Sequence, residues 1–140
     1  MSAVIMVVED DPIPAAMFQR TLERHGYSVR LAGDAETAMD MVATDPPSLL
    51  LLDLILPGID GLEMLHRLRE DPLTQALGVI LTSGGGQGLR RAAQAEAARI
   101  PYTWFVEKGA PMEQFLAAIA TALHRCYGLP AEPPLARMAG

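Results

Sequence analysis

The sequence is poor in cysteine, in basic charge and in long apolar runs, and each shortage closes off a class of function. Cys126 is the one cysteine among 140 residues, so neither an internal disulfide framework nor a cysteine-rich metal site is available. A thiol-poor chain suits a reducing compartment, and Cys126, on the last helical stretch, reads as structural. Lysine and arginine number 11 against 17 aspartates and glutamates, a formal net charge of -6. Direct binding to nucleic acid asks for a basic patch; this balance speaks against it and serves solubility instead. No apolar run approaches the roughly 18–20 residues needed to cross a bilayer. The opening MSAVIMVVEDD has no basic start and meets acidic residues too early for a signal peptide. The expectation is a cytoplasmic chain with neither membrane nor nucleic acid as a direct partner.

What is present is a composition that can build a core. Half of the residues are hydrophobic, and the length suits one domain. The apolar residues come in short bursts. Residues 4–8 are all apolar and stop at Glu9-Asp10-Asp11; such a run reads as a strand buried on both faces. Pro12 and Pro14 stand where a helix begins, a place that tolerates proline. Ala15, Phe18 and Leu22 follow at helical spacing, and Gly26 ends the helix. Residues 27–32 alternate as a second strand, after which Gly33-Asp34 turns the chain and caps a helix reaching Thr44. A leucine run at 49–52 closes on Asp53, Pro57-Gly58 turns, and a helix over 60–70 stops at Asp71-Pro72. A fourth strand over 79–81 is followed by Thr82-Ser83 and by Gly84-Gly85-Gly86. A helix over 89–98, a strand over 102–106 and a helix over 112–125 complete the chain. This alternation predicts an α/β fold, a five-stranded parallel sheet doubly wound with five helices on its two faces. Sheets of that kind carry their sites at the carboxyl ends of the strands.

Four strands deliver reactive groups to that edge. Glu9, Asp10 and Asp11 follow the first, Asp53 closes the third, Thr82 the fourth, and Lys108 follows the fifth. An acidic run after a strand is commonly a solvated loop, and a lone threonine or lysine carries little meaning. Asp53 differs, because a carboxylate at the end of a wholly apolar strand loses solvation unless it is paired. Two like charges 4 Å apart cost about 4 kcal/mol at an effective dielectric near 20. A divalent hard cation relieves that, and a carboxylate site without imidazole suits Mg²⁺. An aspartate nucleophile, a hydroxyl and an ammonium around such an ion fit phosphoryl transfer through an aspartyl-phosphate.

The segments carrying these groups are VVEDD at 7–11, LLLLDLILPGIDG at 49–61, LTS at 81–83 and FVEKG at 105–109. Together, in this order, they resemble the receiver domain of bacterial response regulators, the CheY-like group with a flavodoxin-like fold, over residues 3–126. The resemblance implies a two-component switch in which Asp53 is the phosphoacceptor. Glu9, Asp10, Asp53 and the backbone carbonyl of Ile55 would bind Mg²⁺. Thr82 corresponds to the switch hydroxyl, Lys108 to the lysine that pairs with the phosphoryl group, and Phe105 to the aromatic that exchanges outward and inward rotamers. Asp11 is expected to cap a helix or stand outside the ligand set. The implied partners are a sensor histidine kinase or histidine phosphotransfer protein as donor and a downstream protein target. A homodimer through helix four, strand five and helix five is also implied.

Some positions depart from that pattern. Gly109 follows the lysine where the family often has a proline in a cis bond. Trp104 stands where a small residue is common, and the triple glycine opens the helix-four face, which is expected to be mobile. Ile55 and Gly84 offer no polar group to orient a water, so slow loss of the phosphoryl group is expected. Residues 1–126 form the domain in this reading. Residues 127–140, with three prolines, form a short flexible tail with no output domain. A phosphatase of the haloacid dehalogenase class would need an aspartate where Ile55 stands. A mononucleotide site at residues 83–88 lacks a Gly-Lys-Ser/Thr ending. A receiver acting only as a docking module is at odds with the full set Glu9, Asp10, Asp53, Thr82 and Lys108.

Overall fold

The apolar bursts become strands and the amphipathic stretches between them become helices. In the computed structural model, which describes residues 3–129, the order is β1 (Val4–Val8), α1 (Pro12–Arg24), β2 (Ser28–Ala32), α2 (Ala35–Thr44), β3 (Leu49–Asp53), α3 (Gly61–Glu70), β4 (Gly78–Ser83), α4 (Gln87–Arg99), β5 (Thr103–Glu107) and α5 (Met112–Tyr127). The strands form one five-stranded parallel sheet in the order β2-β1-β3-β4-β5. The chain winds from β1 out to β2, then returns to the other side of β1 for β3. The winding thus reverses between β1 and β3, and a crevice opens there at the carboxyl edge. Val8 lies opposite Leu52, so Glu9 and Asp53 leave neighbouring strands side by side.

Residues of a strand alternate between faces, and this sheet buries both. Met6, Val8, Leu50, Leu52, Val79 and Leu81 join one apolar cluster with Ala38, Met64 and Leu65 of α2 and α3. Ile5, Val7, Leu49, Leu51 and Ile80 join the other, with Phe18 of α1 and Phe115 of α5. Each fully buried leucine or isoleucine is worth about 1.5–3 kcal/mol, which is why β1, β3 and β4 read as unbroken apolar runs. The helix starts are set by short acids: Asp11, Asp34 and Asp60 accept N–H bonds from Ile13, Thr37 and Glu63 at 3.0, 2.7 and 2.8 Å. These satisfy donors that the first helical turn leaves free.

Several boundaries fall differently from the sequence reading. β4 begins at Gly78 and includes Thr82 and Ser83. A Cβ on Gly78 would stand 2.7 Å from Leu49 Cδ1, so the glycine there serves close packing and does not break the strand. α4 starts at Gln87 and ends at Arg99. α5 continues to Tyr127 because nothing interrupts it before Gly128, whose left-handed φ of 71° ends it. The Tyr127 hydroxyl donates to the Ser48 carbonyl at 2.6 Å, which fastens this residue, placed in the tail by sequence, to the body. Residues 130–140 of the expected tail lie outside the described residues. No peptide bond among the described residues is cis, Lys108–Gly109 included. No helix among them is long and apolar enough to cross a membrane.

Candidate functional site

The loop between β3 and α3 is shaped by two glycines. Gly58 turns the chain at φ 73°, a conformation that L side chains avoid. Gly61 opens α3 pressed against the end of β3: a Cβ on it would lie 2.3 Å from the Asp53 carbonyl oxygen. Its N–H donates to the Leu54 carbonyl at 3.0 Å, and the Leu54 N–H to the Thr82 carbonyl at 2.9 Å. The Asp53 backbone is thereby fixed between α3 and β4. The Asp-Gly pair at 60–61 was visible in the sequence, but only the fold shows what its glycine avoids.

Asp53 is 2% exposed, and both of its carboxylate oxygens are engaged. Oδ1 accepts the Ile55 N–H at 3.0 Å, and Oδ2 accepts from Lys108 Nζ at 2.7 Å. The same ammonium reaches Glu9 Oε1 at 2.6 Å. The other Glu9 oxygen, Oε2, accepts the Asp11 N–H at 3.3 Å. Lys108, the chain's single lysine, therefore bridges two buried acids. Burial pushes the Glu9 carboxyl above its ordinary value, and the Lys108 bond only partly offsets this. Burial acts to lower the Lys108 pKa, but the bonds to Asp53 and Glu9 outweigh it, and the ammonium is held above its ordinary value. One oxygen each from Glu9, Asp10 and Asp53 gathers within 4.8 Å, Asp10 being the exposed member. Asp10, Asp11, Asp53, Ile55, Gly84 and Lys108 line an open cleft of about 410 Å³.

Thr82 lies opposite Asp53 in the β3–β4 ladder. Its Oγ1 is buried and has no hydrogen-bond partner. An unsatisfied buried hydroxyl costs about 1–3 kcal/mol, so this atom would gain from a partner. The donor set is all oxygen and close-set, which suits a hard divalent cation. Asp11 caps α1 through its bond with Ile13 and is not among the gathered oxygens. The Ile55 side chain is exposed, while its backbone N–H faces Asp53. Phe105 is half-buried against the cluster that holds Leu81 and Ala93. Sequence reasoning carried Gly61 and Ser83 only as parts of the matching segments; it gave no role to Gly61 beside Asp53, nor to Ser83, whose carbonyl accepts the Lys108 N–H at 3.1 Å, since a backbone contact leaves no mark in the residue type.

Comparison with known proteins matches the response regulator receiver domain over residues 5–120. The chain belongs to the response regulator receiver domain family. Such receivers are signalling switches of two-component systems and are not generally classed as enzymes. Response regulator MprA of Mycobacterium bovis (strain BCG / Pasteur 1173P2) is 34% identical over 125 residues, covering 89% of this chain and 52% of that protein. The receiver thus spans about half the length of the curated relatives it matches. Among solved structures, it is similar to the N-terminal domain of a response regulator receiver protein from Methanoculleus marisnigri JR1. That likeness has TM-score 0.68 and 29% identity, over 84% of this chain and 93% of that one. It is similar also to NtrX from Brucella abortus, with TM-score 0.78 and 28% identity over 90% of this chain and 28% of that one.

Proposed function

We propose that this receiver takes a phosphoryl group onto Asp53 from the phosphohistidine of a sensor histidine kinase or histidine phosphotransfer protein. It then signals by protein–protein contact in the cytoplasm. One observation carries the reading: a carboxylate 2% exposed at the carboxyl edge, with an ammonium at 2.7 Å and two further acids beside it.

A carboxylate oxygen of Asp53 attacks phosphorus. The new O–P bond forms as the P–N bond to the donor imidazole breaks, and that bond's electron pair leaves with the ring. Glu9, Asp10, Asp53 and the Ile55 carbonyl would hold Mg²⁺, which supplies positive charge to the phosphoryl oxygens when bound. Lys108, kept cationic by its two acids, gives up part of its bond to Asp53 and donates to the transferred group. The unpaired Thr82 hydroxyl gains a partner in a phosphoryl oxygen, and Phe105 moves into the space that Thr82 leaves. The face formed by α4, β5 and α5 then meets the downstream target or a second receiver.

Acetyl phosphate with Mg²⁺, followed by intact-mass measurement, tests this. Wild type gains one phosphoryl group, Asp53→Asn gains none, and chelating the metal removes the wild-type gain. An equal gain in Asp53→Asn contradicts the assignment.

A further inference from the structure

The four glycines around the start of α4 have different surroundings. A Cβ on Gly85 would collide with Leu89 Cδ2 at 2.6 Å, and one on Gly86 or Gly88 would meet nothing within 4 Å. The three atoms nearest to a Cβ on Gly84 would all belong to Lys108: Cδ at 3.3 Å, Cβ at 3.6 Å and Cγ at 3.9 Å. The stem of the lysine lies along the bare backbone of residue 84. Gly84 is not among the glycines with positive φ, which among the described residues are Gly26, Gly58 and Gly128. Its backbone therefore accepts any side chain, and what the glycine supplies is space.

The lysine has little slack. Its N–H is fixed to the Ser83 carbonyl at 3.1 Å. Its ammonium is fixed at the far end to Glu9 at 2.6 Å and Asp53 at 2.7 Å. Carbon atoms attract best at about 3.5–4.0 Å, so a methyl on residue 84 presses the stem away, and a branched side chain presses it further. We propose that Gly84 is a positioning residue for Lys108: its missing side chain is the seat on which the stem rests while one ammonium spans Glu9 and Asp53. The effect on phosphoryl transfer rests on the proposed function. The seat itself does not, and it is measurable in the unmodified protein.

Because the chain holds a single lysine, protein grown with ¹³C-lysine reports on Lys108 alone. The two Hε protons of a stem held in place resonate apart, and those of a freely rotating stem average to one signal. The expected result is separated Hε signals in wild type and in Gly86→Ala, reduced separation in Gly84→Ala, and a single averaged signal in Gly84→Val. Misplacing a reacting group by a fraction of an ångström costs rate. The second-order rate of phosphorylation by acetyl phosphate is accordingly expected to fall roughly tenfold in Gly84→Val and to stay at the wild-type value in Gly86→Ala. Thermal melting checks that each variant folds, and Gly84→Ala alone suffices if the valine variant does not. Averaged Hε signals in wild type, wild-type signals in the Gly84 variants, or an equal change in Gly86→Ala would overturn the proposal. A wild-type protein that gains no phosphoryl group removes the functional reading and leaves the Hε comparison to decide the seat.

Discussion

At the residue scale, the site holds one atom in deficit. Thr82 Oγ1 is buried and unpaired, and the deficit sets a sign. Thr82→Val keeps the shape and removes the polar group, so the unmodified receiver should become more stable by on the order of 1 kcal/mol. Urea denaturation checks this, with the midpoint rising at an unchanged slope. Beryllofluoride, which stands in for a phosphoryl group, should then stabilise the variant less than wild type. Tyr27 sets another sign, at alkaline pH. It is buried in the α1/α5-side cluster, and burial raises its pKa above 10.0. Above pH 10.0 the unfolded chain releases this proton before the folded chain does. Its contribution to stability is full below that pH and is lost as pH rises through the folded value. Tyr27→Phe should show a shallower loss of stability across that range, and parallel curves for variant and wild type would contradict it.

At the element scale, α4 is the helix with the fewest fully buried residues. It buries Ala93 alone, whereas α5 buries six residues. Its cap position, Gly86, makes no side-chain bond, unlike the acids that open α1, α2 and α3. Polar ties hold it, Arg90 to Glu107 of β5 and Glu96 to His66 of α3, and surface pairs of this kind are worth about 0–1 kcal/mol each. Local opening follows buried apolar contact. Amide exchange should therefore be faster in the middle of α4 than in the middle of α5, before any phosphorylation. Equal protection would remove the basis for treating the α4 face as the part that moves. Elements also mark the limits of reading by sequence. Residues 4–8 fold as the strand that their composition predicts, because a five-residue apolar run ended by acids is too short for a helix and suits a buried strand. Gly78, Thr82 and Ser83 joined β4 without an apolar signal, since neighbouring strands recruited them through the ladder. α5 outran its expected end by two residues for want of a stop signal before Gly128.

At the scale of the whole molecule, the winding of the sheet makes the site. Reversal between β1 and β3 sets Glu9 beside Asp53, and the carboxyl-edge rule made that meeting legible from strand order and residue type. Other features were not legible. The bridge from one lysine to two acids, the orphaned hydroxyl and the close approach of Gly61 all depend on distances between strands far apart in sequence. The same convergence predicts a response of the entire fold to metal. Three acids gather here and the one ammonium pairs with two of them, so Mg²⁺ should raise the melting temperature, because it binds the folded arrangement in preference to the unfolded chain. Asp10→Asn should abolish the rise, and an equal rise in variant and wild type would place the ion elsewhere.

The most direct test of the account locates the phosphoryl group itself. The receiver is treated with acetyl phosphate and Mg²⁺, then reduced with borohydride, which converts an aspartyl-phosphate to homoserine, and its peptides are sequenced by mass spectrometry. The account predicts homoserine at position 53, with Glu9, Asp10 and Asp11 unchanged. Homoserine at Asp10 or Asp11, or none at position 53 in a protein that has gained phosphoryl mass, would contradict it.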